Sequence, residues 1–592
     1  MDQVIETAVD NWLNDPAIAE ADKEEIRNLL DNGNEKELAN RFFQPLEFGT
    51  GGMRGIIGAG INRVNIYTIG AAAQGLANYV AAQGEQAKKA GVAIACDSRR
   101  MSEEFAQRTA CVMAGNGIKA YLFDALRPTP ELSFAVRKLG CTAGVVITAS
   151  HNPPDYNGFK AYWSDGVQVV PPHDENITEE VRSVGSFGNV KVMDYRQAKN
   201  DGLIEVVGKD IDEAFLEKVQ ASCLNPELCR EQGKTMKIVF TPLHGTAATL
   251  APEALRRRGF EHVIVVPEQA EPDGNFPTVK KPNPEEGEAL DMGIELAREE
   301  GADLVIGTDP DADRMGIAVR IGNGKFELIT GNQIAALMTY YICEQMTRNN
   351  TFPDNAVLVT TIVSGDMMKD IARKYGAEVT ETLTGFKWIG QKICQYEYEG
   401  KPEKPSKTYI FGAEESYGYM PSTFVRDKDA ITSTAYIAEM AAFFASQGKG
   451  LYEVLQDLFK QYGYYYETTK SLELPGAEGA GRIRAMMEEL RSDPPGKLGD
   501  IEVKTFADIA TGEVVDVKTQ EVVGNYYLPS SDVVLFQLED GTKAIARPSG
   551  TEPKIKFYVL TREKPTDLAW ARDKSIEKAA AIFDDFIARA KE

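Results

Sequence analysis

Short runs of consecutive apolar residues alternate along most of the chain with longer stretches of helical apolar spacing. Val92-Ala93-Ile94-Ala95-Cys96 predicts a strand, Ser102 to Asn116 a helix, and Ala120–Phe123 and Gly144–Thr148 two more strands. Strands apolar on both faces and separated by helices belong to layered α/β folds with buried, largely parallel sheets. The rhythm returns in Lys237–Phe240, His262–Val266 and Asp303–Ile306, and again in Ala356–Thr360 and Thr408–Phe411. The opening 48 residues predict charged helices that end at a glycine-rich turn, Gly49 to Gly55. The final segment is broken by Pro475-Gly476 and Pro494-Pro495-Gly496 and predicts a smaller α+β unit. The expected organisation is three similar α/β domains with mixed, largely parallel sheets (1–206, 207–325 and 326–462) and a C-terminal α+β domain (463–592).

At 592 residues, the chain is long enough for several domains, and 43% hydrophobic and 9% aromatic residues fill several cores. A net charge of −24 argues against general binding of nucleic acid or anionic membrane. The seven cysteines are scattered without a CxxC pair, which argues against a disulfide scaffold or zinc knuckle and predicts a reducing cytoplasm. The N-terminus lacks the pattern of a signal peptide, and no membrane span is expected. The most apolar helical stretch, Ala435 to Ala445, is short and contains Glu439.

Four loops carry candidate chemistry, the first three at predicted strand ends, since ligands bind at the carboxyl ends of strands in α/β sheets. Thr148-Ala149-Ser150-His151-Asn152-Pro153 offers a serine to the crevice, although alone it also reads as a Ser/Asn turn. It is no hydrolase triad, because adjacent residues point apart and no GxSxG elbow is present. In Gly307-Thr308-Asp309-Pro310-Asp311-Ala312-Asp313-Arg314, Pro310 excludes a regular helix, and in an extended or turned loop alternate residues share a side, so the three aspartates can converge. They suit a hard cation such as Mg²⁺; the alternative is a solvated acidic turn. An EF-hand is excluded because Arg314 and Arg320 stand where Gly and Glu are required. Gly412-Ala413-Glu414-Glu415-Ser416-Tyr417-Gly418 pairs carboxylates with a hydroxyl, which suits sugar hydroxyls or a polar turn. Arg547-Pro548-Ser549-Gly550-Thr551 forms either a phosphate cradle or an exposed turn. Lys387, after the Thr384-Gly385 turn, lies among apolar neighbours, where a snorkelling surface lysine is the usual case. The absence of GxGxxG and Walker A patterns argues against dinucleotide binding and P-loop hydrolysis.

In this order, from Arg54 to Lys554, the loops resemble the α-D-phosphohexomutase superfamily, and its phosphoglucomutase branch above all; TASHNP followed by DPDADR is highly specific. The resemblance implies four domains around a central cleft and a mutase that interconverts glucose 1-phosphate and glucose 6-phosphate. It implies that Ser150 is the phosphoserine and that Ser150, Asp309, Asp311 and Asp313 hold one Mg²⁺ per active site. It implies catalytic roles for Arg54, His151 and Lys160, the last as proton carrier. Substrate binding would fall to Arg314, Lys387, Glu414 and Ser416, with Arg547, Ser549, Gly550 and Thr551 on phosphate. A sugar bisphosphate would be the intermediate and activator, and the enzyme a monomer or small homo-oligomer acting on sugar phosphates in the cytoplasm. The Glu-Glu-Ser-Tyr-Gly run leans toward glucose over mannose, although Ala413 replaces the glycine frequent in relatives. Phosphopentomutase and phosphomannomutase activities are the alternatives, followed by a metal-dependent phosphohydrolase and a non-catalytic phosphosugar-binding protein. His244 receives no role.

Overall fold

A computed structural model describes residues 2–49, 52–401, 404–474, 476–549, 554–564 and 567–589. The chain forms two compact units. The first comprises residues 1–331, 386–412 and 416–450, and the second 332–385, 413–415 and 451–592.

The first unit contains two sheets. One has the order β1-β5-β4-β2-β3-β6, with strands Gly52–Ile56 (β1), Val92–Cys96 (β2), Ala120–Phe123 (β3), Ala143–Ile147 (β4), Tyr156–Trp163 (β5) and Ile204–Val207 (β6). β2 and β4 are buried at every position, as their continuous apolar sequence requires. They are parallel, whereas β5 runs antiparallel to both β4 and β1. The expected glycine turn thus ends in a strand from Gly52 onward, with Gly52 opposite Lys160. Its φ of 145° brings the backbone so near Phe159 that an added Cβ would lie 1.9 Å from the Phe159 carbonyl oxygen. The glycine that weakens a strand elsewhere is therefore what lets this one pair.

The second sheet has the order β11-β10-β9-β7-β8, formed by Lys237–Thr241 (β7), His262–Val265 (β8), Leu304–Thr308 (β9), Met315–Ile321 (β10) and Lys325–Ile329 (β11). β7, β8 and β9 are parallel, and β10 and β11 form an antiparallel hairpin closed by Gly322–Gly324. The N-terminal helices bury Val9, Trp12, Leu38 and Phe42 in a cluster with Tyr67. Tyr67 opens the helix Ile66–Ala82, whose start is closed by a capping box between Asn65 and Thr68.

In the second unit, Ala356–Thr361 (β12) and Glu378–Thr382 (β13) are parallel, and the Thr360 hydroxyl donates to the Ala413 carbonyl at 2.7 Å. Thr408–Glu414 (β14) and Gly418–Met420 (β15), of which only residues 413–414 belong to this second unit, flank the Glu415-Ser416-Tyr417 turn. The C-terminal region folds as an antiparallel sheet with helices Gly476–Ser492 and Leu568–Arg589, whose shared core includes Leu490, Phe536, Phe557 and Phe586. Among the described residues, no helix is long and apolar enough to cross a membrane.

Candidate active site

The turn after β4 carries Ser150, which is buried and holds a left-handed φ of 52°. A non-glycine residue pays for that conformation with roughly 1–3 kcal/mol, so the surroundings must enforce it. Arg99 does so. Its guanidinium donates to the carbonyls of Ser150 (2.6 Å), Asn152 (2.5 Å), Pro153 (2.7 Å) and Tyr156 (3.0 Å). Asp97, whose Oδ2 is 3.4 Å from Arg99 Nε, balances this buried charge and accepts the Thr148 hydroxyl at 2.6 Å. Both residues sit on the turn directly after β2, a strand end that the sequence reading left without a function.

The Ser150 hydroxyl donates to Asp309 Oδ2 at 2.9 Å and lies 3.1 Å from His151 Nδ1. Burial, reinforced by Arg314 and Arg54, pushes the His151 imidazole well below its ordinary pKa, so it is neutral. Arg54 on β1 donates to the Asn152 side chain at 2.8 Å. The antiparallel register of β1, β5 and β4 gathers Arg54, Lys160 and Ser150 at one end of the sheet.

Asp309, Asp311 and Asp313 follow β9 and are all buried. One carboxylate oxygen from each lies within 4.8 Å of the others. Lys160 Nζ bridges Asp311 Oδ2 (2.7 Å) and Asp313 Oδ2 (3.0 Å), and Lys428 Nζ is 3.4 Å from Asp313. Burial and the two neighbouring carboxylates raise Asp309 well above the usual range. Burial acts in the same sense on Asp313, but Lys160 and Lys428 outweigh it and hold that carboxyl low. Burial works against the charge on Lys160, yet Asp311 and Asp313 overcome it and raise its pKa.

The loop is held from outside. Thr129 donates through its hydroxyl to Asp311 Oδ2 and through its N–H to the Asp311 carbonyl, both at 2.8 Å. Gly245 approaches Pro310 so closely that a Cβ would meet its Cα at 2.4 Å. This allows Thr246 to donate to the Pro310 carbonyl through N–H and hydroxyl. His244 braces the same turn, with Nδ1 3.2 Å from the Glu271 carbonyl and Nε2 2.9 Å from the Thr278 hydroxyl. Arg314 donates to Glu285 (2.7 Å) and to the Ser416 carbonyl (2.8 Å), which ties Ser416 to the aspartate loop. Lys387 lies 3.5 Å from Asp174 and over the Trp388 ring, and burial lowers its pKa.

A divalent cation fits this donor set. Asp311 Oδ1 and Asp313 Oδ1 are buried without a hydrogen-bond partner, a costly arrangement unless something positive occupies the space between them. Three carboxylates and a serine oxygen form an all-oxygen environment of the kind a hard ion takes.

In the second unit, Glu414 accepts the Gly385 N–H at 2.7 Å and Glu415 accepts the Ser364 hydroxyl at 3.2 Å. Burial and the charge of Glu414 push Glu415 up to about 7, against the opposing pull of Arg547 and Lys556. Arg547 ends the strand Lys543–Pro548 and donates to the Tyr558 hydroxyl at 3.4 Å. The Ser549 N–H donates to the Lys554 carbonyl at 2.7 Å. Gly550 and Thr551 lie outside the described residues.

Three family models match: phosphoglucomutase/phosphomannomutase alpha/beta/alpha domain I over residues 45–186, domain II over 213–322 and domain III over 330–462. A phosphoglucomutase of Staphylococcus aureus (strain USA300) is 37% identical over 534 residues, 90% of this chain and 93% of the relative. Among solved structures, the Paramecium phosphoprotein pp63/parafusin, described as a phosphoglucomutase in open form, gives a TM-score of 0.66 at 18% identity, covering 93% of this chain and 97% of that one. A phosphoglucomutase/phosphomannomutase family protein of Burkholderia thailandensis gives 0.63 at 19% identity, covering 92% and 97%. These two likenesses concern the fold.

Proposed function

The chain belongs to the phosphoglucomutase/phosphomannomutase family, and from that premise we propose that it interconverts glucose 1-phosphate and glucose 6-phosphate by way of a phosphorylated Ser150. It is an intramolecular phosphotransferase. The observation that carries the reading is Ser150 itself: a buried serine in a strained turn, 2.9 Å from a buried aspartate of a three-aspartate loop.

Phosphate monoesters break slowly because their charge repels nucleophiles, so catalysis is mainly positioning and electrostatics. Arg99 fixes the backbone that carries Ser150, and Arg54 fixes Asn152 beside it. Neutral His151 orients the serine oxygen. Asp309, Asp311 and Asp313 would hold Mg²⁺, which when bound neutralises phosphoryl charge. Ser150 gives its phosphoryl group to the free hydroxyl of the sugar monophosphate, forming a bisphosphate. That sugar turns round and returns its other phosphoryl group to Ser150. Lys160, held charged beside the loop, relays the proton: it passes its own to the Ser150 oxygen as that oxygen leaves phosphorus and regains one from the sugar hydroxyl that becomes bonded to phosphorus, with the direction reversed in the return step. Glu414 and Ser416 grip sugar hydroxyls, Lys387 and Arg314 contribute to substrate binding, and Arg547 with Ser549, Gly550 and Thr551 holds the phosphate not being transferred. We place the four domains at 1–206, 207–325, 326–462 and 463–592, and the protein in the cytoplasm as a monomer or small homo-oligomer.

Intact-mass analysis of the purified protein tests the reading, with a phosphoform expected on Ser150 and absent from Ser150→Ala. That variant should lose mutase turnover by orders of magnitude. A Ser150→Ala enzyme that isomerises at the wild-type rate would remove Ser150 from the reaction. A wild type that releases phosphate from glucose 1-phosphate faster than it isomerises it would favour the phosphohydrolase.

A further inference from the structure

In the first unit, Cys223 and Cys229 bring their sulfurs within 3.8 Å of each other. Cys223 follows the helix Lys209–Ala221, and Cys229 lies in the helix Pro226–Gln232. Cys229 is buried and Cys223 half-exposed. A third metal-ligating side chain, Glu439, completes the cluster, but both of its oxygens are occupied. Oε1 accepts the N–H groups of Leu224 and Asn225, each at 2.8 Å, and Oε2 is paired with the buried Arg258 guanidinium. Two thiols with an engaged carboxylate are too few donors for a structural zinc site. What remains is a pair of thiols in contact, one reachable from solvent and one behind it.

We propose that Cys223 and Cys229 are a thiol–disulfide couple whose oxidation slows the mutase. The oxidant is a small-molecule disulfide. The Cys223 thiolate attacks one of its sulfurs, forming a mixed disulfide and expelling one thiolate. Cys229 gives its proton to the thiolate just expelled, attacks Cys223 Sγ and expels the second. Two protein thiols become one S–S bond, and one oxidant molecule becomes two thiols.

The coupling to catalysis runs through the helix Ala430–Ala445. A disulfide needs its sulfurs at about 2 Å, so they must close by nearly that much. The turn that moves carries the Leu224 and Asn225 N–H groups on Glu439, and the neighbouring Ser222 carbonyl accepts the Tyr436 hydroxyl at 2.7 Å. Glu439 and Tyr436 both belong to this helix. At its N-terminal end, about 9–14 Å away at 1.5 Å per residue, the Ala430 N–H donates to the Ala312 carbonyl inside the aspartate loop. Just before it, Lys428 faces Asp313. A shift of the helix is therefore felt where small displacements are costly.

The full-length protein is incubated with glutathione disulfide, quenched with alkylating reagent and analysed by intact mass and peptide mapping. The expected result is a loss of about 2 Da, two hydrogens, with one cross-link joining Cys223 to Cys229. Cys229→Ser should instead retain one glutathione on Cys223. A glutathione adduct retained on the wild type, no reaction, or a cross-link between other cysteines would overturn the couple, and none of these readouts depends on mutase activity. For the coupling, oxidised wild type should turn over roughly tenfold more slowly and recover with dithiothreitol, while Cys223→Ser should be indifferent to the oxidant. A mapped disulfide with unchanged turnover would overturn the coupling.

Discussion

Replacing Arg99 by lysine removes a fork while keeping a charge, and so tests whether the backbone around Ser150 is held from below. The guanidinium makes four hydrogen bonds to carbonyls of the 150–156 turn, at 2.5–3.0 Å, and balances Asp97. An ammonium keeps the balance but offers three donors from one point, so it cannot span four carbonyls spread along the turn. Bonds from a charged donor contribute about 1.5–3 kcal/mol each. Losing two of them, partly offset by relief of the left-handed Ser150 backbone, costs about 3 kcal/mol. That predicts a melting midpoint lower by roughly 6–12 °C at 2–4 °C per kcal/mol. The larger effect should fall on turnover. If the serine oxygen drifts by an ångström from its place 2.9 Å from Asp309, turnover falls by about 100-fold, with little change in KM. A dehydrogenase-coupled assay of glucose 1-phosphate conversion reads it, alongside a thermal melt. Arg100→Lys is the control, because among the described residues the exposed Arg100 side chain reaches only the Pro154 carbonyl and its loss should cost under about 0.5 kcal/mol. Wild-type turnover in Arg99→Lys, or equal losses in both variants, would refute the argument.

Asp311→Asn keeps size and removes one negative charge, so Mg²⁺ affinity measured by calorimetry should fall at least about tenfold, with turnover falling alongside it; full activity of chelator-treated wild type would exclude a catalytic metal. If one Arg547 guanidinium serves the bound phosphate in either sugar orientation, as proposed, Arg547→Ala should raise KM by about 10- to 100-fold in both reaction directions, and a loss in one direction alone would require a separate anchor for the other. Burial pushes Asp429, which caps the helix Ala430–Ala445, up to about 6. A carboxyl raised on folding contributes stability that is complete below about pH 4 and lost as pH rises through about 6, some 3 kcal/mol in all. Asp429→Asn preserves the cap and should flatten that slope in urea melts between pH 4 and 6; an unchanged slope would assign the dependence elsewhere.

What the sequence made legible were residues whose position along a strand is also their position in the site. Ser150, Asp309 and Glu414 sit at or just after the ends of apolar runs, and the periodicity that predicts those strands places them at carboxyl ends. Asp97 and Arg99 follow an equally clear strand and could have been found by the same rule. They escaped because their work is on backbone carbonyls, which no side-chain pattern announces. The sheets are mixed, as expected: β2, β3, β4 and β6, and likewise β7, β8 and β9, are parallel, while β1, β5, β10 and β11 pair antiparallel toward the edges.

Hidden most deeply are pairings between residues far apart in the chain. Lys160 meets Asp311 across 151 positions, and Ser150 meets Asp309 across 159. Local propensity carries no information about either contact; each follows only once two sheets are packed with their strand ends together. Thr129 and Gly245 show the same limit from the other side. A threonine at a helix start and a glycine in a Pro-Leu-His-Gly turn have ordinary local explanations. Yet the first donates to Asp311, and the second is needed because Pro310 leaves no room for a Cβ. Three carboxylates with a net repulsion among themselves stay in one loop because Thr129, Thr246, Lys160 and Lys428 converge on it from four other segments. The cost of assembling that charge is met by tertiary contacts, which is why an Asp-x-Asp-x-Asp spacing announces the site while its stability stays unreadable from the spacing.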